Sequence, residues 1–157
     1  MAELILLPNP QLQINIIDDN IAELTLTQRY KWDTDLASLN ATAYYLGIYM
    51  MGDDGGFRGA DDALGVFSSD YLPTPGGVDE YSLTITNRVQ REILNEDVGR
   101  GAIARARRRR DEDEIYVNVL LFGYVRSNVW DRFRGWERRW LPQGNREKSN
   151  IVTGMRF

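Results

Sequence analysis

Asn87-Arg88-Val89-Gln90-Arg91-Glu92-Ile93-Leu94-Asn95-Glu96-Asp97-Val98 is the stretch that decides the fold class. Gln90 stands three residues after Asn87, where a capping box places its second side chain, and Val89, Ile93, Leu94 and Val98 recur at helical spacing. The spacing predicts a helix. Beyond Gly99-Arg100-Gly101, Ala102, Ile103, Ala104 and Ala106 carry that helix on through Arg105, Arg107, Arg108, Arg109 and Arg110, so it spans 88–110. Asp111, Glu112, Asp113 and Glu114 answer the arginines at once.

Outward from this stretch the chain reads as strands. Downstream, Ile115, Val117, Val119 and Leu121 share one parity and Tyr116, Leu120, Phe122 and Tyr124 the other, the mark of a strand covered on both faces. Arg126-Ser127-Asn128 reads as a hairpin turn. Val129–Leu141 returns with Trp130, Trp136 and Trp140 on the parity of Arg132, Arg134 and Arg138; Pro142–Ser149 is a polar loop, and Ile151–Phe157 suits an edge strand. Upstream, Tyr81, Leu83 and Ile85 alternate with Ser82, Thr84 and Thr86. Further back, Leu12, Ile14 and Ile16, then Ala22, Leu24, Leu26, Tyr30 and Trp32, alternate with polar residues about the Asp18-Asp19-Asn20 turn, predicting a hairpin over 11–32.

Between these lie two segments of other character. Leu36, Leu39, Ala43, Leu46 and Met50 suit a helix starting after Asp33 or Asp35, although Ala41–Tyr49 is also rich in strand formers. Gly52–Gly77, with seven glycines, two prolines and the pairs Asp53-Asp54 and Asp61-Asp62, reads as a long flexible loop. Residues 1–10, broken by Pro8 and Pro10, read as an extended arm. The expected fold is therefore α+β, a mainly antiparallel sheet with one principal helix packed on a face, in a single domain over 1–157.

Composition limits the chemistry. The chain has neither cysteine nor histidine, which removes disulfides, thiolate metal sites and the usual nucleophile and general-base pairs. The Gly52–Asp62 loop offers the hard oxygens that calcium prefers, but it matches no EF-hand spacing, and a solvated acidic loop is the better reading. Carboxylate-only hydrolysis through Asp53, Asp54, Asp61 or Asp62 is the trailing alternative, since nothing places two of them across a substrate as glycoside hydrolysis needs. No enzyme activity, cofactor or metal is expected. No apolar run approaches the roughly 18 residues of a membrane helix, and Leu4–Leu7 is too short for a signal peptide.

Charge is more informative. Residues 1–87 carry 3 basic and 13 acidic side chains, residues 88–157 carry 16 and 10, and 17 of the 19 basic residues are arginine. Interfaces favour arginine and aromatics over lysine. Arg105, Arg107, Arg108, Arg109, Arg110, Trp130, Arg132, Arg134, Trp136, Arg138, Trp140 and Phe157 are therefore the candidate partner-interface residues. No motif ties the chain to a family. In general character, small, free of cysteine and histidine, with a charge dipole and an arm, it resembles the structural proteins of virus particles and contractile tails. The expected function is a structural subunit of a head, neck, tail or baseplate, in the virion or host cytoplasm, partnered by copies of itself or by other structural proteins through complementary charge. Nucleic-acid binding by the Arg105–Arg110 cluster and the Trp/Arg strand is the alternative.

Overall fold

The structure, a computed structural model, describes residues 3–33, 43–53, 61–72, 80–95, 113–132 and 135–157. Among these residues nine strands form two antiparallel sheets. β1 (Glu3–Leu6) and β2 (Gln11–Ile16) lie end to end along one edge of β3 (Ile21–Asp33), and β6 (Glu80–Gln90) lies along the other. In the second sheet β5 (Asp62–Ser68), β4 (Tyr44–Gly52) and β7 (Asp113–Asp131) run side by side. β8 (Gly135–Lys148) and β9 (Val152–Met155) share the far edge of β7.

The alternation of β3 explains the sandwich. Ala22, Leu24, Leu26 and Tyr30 are buried and meet Leu46, Ile48, Met50, Ile115, Val117, Val119 and Leu121 of the second sheet in one core cluster. Two polar inserts tie this core to its edges. Gln28, fully buried where β3 passes the gap between β1 and β2, donates from Nε2 to the carbonyls of Leu7 and Arg29 at 2.7 Å each. Its amide stands in for the missing edge strand. Asn150 bridges the sheets, accepting from the Leu12 amide at 2.7 Å and donating to the Leu12 carbonyl at 3.0 Å.

The α+β expectation is overturned, since no helix of seven or more residues occurs among the described residues. Arg88-Val89-Gln90 continue β6 in unbroken register with Glu23-Ala22-Ile21, so Asn87 is a strand residue and caps nothing. Only a 3-10 turn follows, Arg91–Leu94, entered from an extended Gln90 that makes no side-chain cap. The apolar spacing misled because Val89 also fits the strand parity of Tyr81, Leu83 and Ile85, and Leu94 reaches the core from the turn while Ile93 stays outside. The rest of the expected helix lies outside the described residues.

Other boundaries move too. The helix expected after Asp33 gives way to strand β4 from Tyr44 onward, residues 34–42 lying outside the described set. The supposed loop 52–77 contains strand β5, and the arm contains β1. β7 runs through Arg126-Ser127-Asn128 to Asp131, placing the reversal near Arg132, and β8 continues through Pro142 to Lys148 where a loop was expected. Both segments carry register shifts, which let extra residues sit in a strand without ending it, and Pro142 on β8 pairs in register with Phe122 on β7. No helix among the described residues is long and apolar enough to cross a membrane.

Candidate functional site

The two sheets present opposite kinds of outer face. On the first, Thr25, Thr27, Arg29, Ser82, Thr84, Thr86 and Arg88 project outward, with exposed ion pairs Arg29–Glu80 at 3.0 Å and Arg88–Glu23 at 2.9 Å. Such a face is ordinary for solvent. The outer parity of the second sheet holds Tyr45, Tyr49, Leu120, Phe122, Tyr124 and Trp140.

Register assembles these rings. Tyr45 and Phe122 are direct cross-strand partners and stack with centroids 5.1 Å apart and planes 9° from parallel. Gly47, next on β4, leaves room for Phe122, because a Cβ there would stand 2.6 Å from its Cε2. Tyr124 and Trp140 are partners on β7 and β8 with rings 5.2 Å apart, and Tyr45 meets Trp140 edge-on at 4.8 Å. Tyr71 completes the group. The segment after β5 continues along β4, the Ser69 and Leu72 amides donating to the carbonyls of Leu46 and Tyr44. Leu72 is thereby buried and Tyr71 turned outward, stacked on Trp140 at 5.6 Å yet 71% exposed. Val66 on β5 is 62% exposed.

Exposed arginines lie along β8 and at the β7–β8 reversal. Arg132, Arg139 and Arg146 are exposed, and Trp130, opposite Trp136 in the backbone register, is 60% exposed. Trp130, Arg132 and Trp140 are thus brought to the β7–β8 ribbon, and Arg138 takes its backbone place opposite Arg126. Phe157 is placed elsewhere, half-buried against the core, its amide donating to Asp113 at 2.8 Å. Arg105, Arg107, Arg108, Arg109, Arg110 and Arg134 lie outside the described residues. Tyr45, Tyr71, Phe122 and Tyr124 were missed as surface residues, and reading Ala41–Tyr49 as a strand would have exposed the outward parity of Tyr45 and Tyr49.

Two further spots carry polar chemistry. The Tyr116 hydroxyl donates to Asp61, and Lys148 lies 3.9 Å above the Tyr116 ring centroid. Burial first, and then the Asp61 contact, push the Tyr116 phenol up to about 12. In the cleft between Asn20 and Phe157, the Arg91 guanidinium donates to the carbonyls of Asp18 and Arg156 at 3.2 and 3.0 Å, clamping a turn to the chain's last residues. Among the described residues no group of three His, Cys, Asp or Glu side chains could hold a metal ion.

No family model and no curated protein matches the chain. Among solved structures it is similar to a protein from Archaeoglobus fulgidus, at 9% identity and TM-score 0.40, over 96% of this chain and 98% of that one. It is similar also to β-glucosidase 3B from Thermotoga neapolitana, at 11% identity and TM-score 0.33 over 94% of this chain. The β-glucosidase from Kluyveromyces marxianus matches at 10% and 0.31 over 95%. This chain spans only 16% and 15% of those two enzymes. Likenesses this low assign neither fold nor activity.

Proposed function

We propose that the chain is a non-enzymatic structural subunit that takes its place in a larger protein assembly through the aromatic face of the second sheet. The observation that carries this reading is the contrast between the two outer faces. An apolar sheet face rimmed by polar groups is the usual mark of a protein contact, and aromatic rings on strands that also carry exposed arginines have the composition of an interface. The fitting partner is a protein surface with an apolar centre and carboxylates at its rim. A virus particle or contractile tail is the kind of assembly proposed, with the virion or host cytoplasm as its location.

The charge split acquires a different meaning in three dimensions. Arg88, the first residue of the basic half, pairs with Glu23 of the acidic half, and β7 of the basic half lies against β4 of the acidic half. The halves of the sequence are interleaved, so complementary contact with a neighbour rests on local patches such as the exposed arginines of the β7–β8 ribbon. Nucleic-acid binding by the Trp/Arg strand is the second reading: base stacking needs an open ring, which Trp130, 60% exposed, offers and Trp140, hemmed in by Tyr45, Tyr71 and Tyr124, does not.

Sedimentation of a native extract tests the proposal. The wild-type chain is expected in particles far heavier than 18.1 kDa, and a Tyr71→Ala/Trp140→Ala variant that still folds is expected in the slow fraction. A wild-type chain that sediments at its own mass, or a double variant that stays in the particle, rejects it.

A further inference from the structure

The edges of the first sheet are treated unequally. β1 is four residues long, and the outward backbone of β2 is capped at Leu12 by the Asn150 amide. β6 is different. It pairs with β3 over eleven consecutive residues without a register shift, contains no proline, lysine or glycine, and among the described residues pairs on that side only. Long, regular edges without lysine, proline or a bulge are templates for another strand, and proteins commonly blunt them.

The phase of the ladder shows which groups face outward. Ile17 N donates to Ile21 O and Arg91 N to Asn20 O, and antiparallel pairing alternates bonded and non-bonded pairs. The odd residues of β6 therefore bond β3. The amides and carbonyls of Ser82, Thr84, Thr86 and Arg88 point to the open side.

We propose that a second copy of this chain pairs with β6, antiparallel, about a two-fold axis at Thr84, joining the two first sheets into one. Self-pairing with this centre sets Thr84 against Thr84, Ser82 against Thr86 and Glu80 against Arg88, so the outward amides of each strand meet the outward carbonyls of the other. Charge selects the register. Glu80 already meets Arg29, and Arg88 meets Glu23, within one protomer. Across the axis the order becomes Arg29, Glu80, Arg88, Glu23, alternating in sign, twice over. A centre one residue later sets Glu80 against Gln90 and Ser82 against Arg88 and loses this alternation. On the inner parity Leu83 meets Ile85, and both are only half-buried in the single chain, so each protomer has apolar surface left to cover. The contact is isologous, as a two-fold requires, and is separate from the aromatic face.

The test uses the full-length chain at rising concentration. Sedimentation equilibrium is expected to give twice the 18.1 kDa chain mass, and Thr84→Pro to give the single mass. Proline at 84 removes an amide that points away from β3, so the fold survives it. The sequence contains no cysteine, which makes a second measurement specific. Paired residues facing each other across such an axis have Cα atoms about 5.5 Å apart, within disulfide reach. Thr84→Cys is expected to cross-link to a covalent dimer under mild oxidation, whereas Ser82→Cys, several residues out of register with its own copy, is expected to remain uncross-linked. A wild-type chain that stays monomeric, a Thr84→Pro variant that stays dimeric, or equal cross-linking at 82 and 84 overturns the proposal. Tyr71→Ala/Trp140→Ala, which reports on the aromatic face, should leave the dimer intact.

Discussion

Asn150 holds both backbone groups of Leu12, accepting from its amide and donating to its carbonyl, across 138 residues of sequence and from one sheet to the other. Ser149 anchors the same corner to the second sheet, its amide and hydroxyl bonding the carbonyl and amide of Val117 at 2.9 Å each. Two bonds at about 0.5–1.5 kcal/mol each set the expected loss for Asn150→Ala at about 1–3 kcal/mol in urea unfolding. Asn150→Asp should lose at least as much, because a carboxylate cannot donate and would face the Leu12 carbonyl. Wild-type stability in either variant would show that the latch is idle.

Gly47→Ala is expected to displace the Phe122 ring, since the added Cβ would stand 2.6 Å from Cε2 while the ring is held in its stack on Tyr45. Overpacking of this kind costs about 1–3 kcal/mol. Near-ultraviolet circular dichroism should record the disturbed aromatic cluster, and, on the proposed role of the face, entry into a larger assembly should fall with it. Unchanged spectra would mean that Phe122 moves aside without consequence for the face.

What the sequence made legible was the parity of some of the strands. The Ala22–Trp32 alternation is the buried face of β3, and the two apolar parities of Ile115–Tyr124 are a strand with Ile115, Tyr116, Val117 and Val119 all buried. The illegible parts share one cause, that short-range spacing does not say which long-range partner wins. Asn87–Leu94 satisfies helical periodicity locally, but the eleven ladder partners that β3 gives Glu80–Gln90 outweigh a cap and three apolar residues. Leu46, Ile48 and Met50 read as either element until β5 and β7 flank them. Candidate residues fared unevenly for the same reason. Trp140 was visible as a tryptophan, while the tyrosines around it come from β4, β7 and the segment after β5, and no sequence window contains them together.

Alkali should destabilise the fold in a defined window. The Tyr116 phenol is raised from 10.0 to about 12 by burial and by its bond to Asp61, and Tyr30 is raised as well by burial and by Tyr81. A phenol with a raised folded value binds its proton more tightly in the folded chain. Its contribution is therefore fully present below the unfolded value of 10.0 and is lost as pH climbs towards about 12. Tyr116→Phe, which keeps the ring under Lys148, is expected to flatten part of this decline, and phenolate absorbance should show one fewer late-titrating tyrosine. An unaltered alkaline profile in that variant would remove Tyr116 from the cause.

Weak binding to single-stranded nucleic acid is expected at physiological salt, despite the run of arginines. Were Arg105, Arg107, Arg108, Arg109 and Arg110 each to neutralise a phosphate, counterion release would give a slope of log affinity against log salt of about −3.5 for a single strand. Asp111, Glu112, Asp113 and Glu114 follow the cluster directly in sequence, and acids at that distance weaken its field. A salt titration with a homopolymeric single strand should therefore give an affinity too weak to measure at physiological salt, and changing the five arginines to alanine should alter it little. A sub-micromolar affinity with a slope near that value, abolished by the same five changes, would move the chain from protein assembly to nucleic-acid recognition.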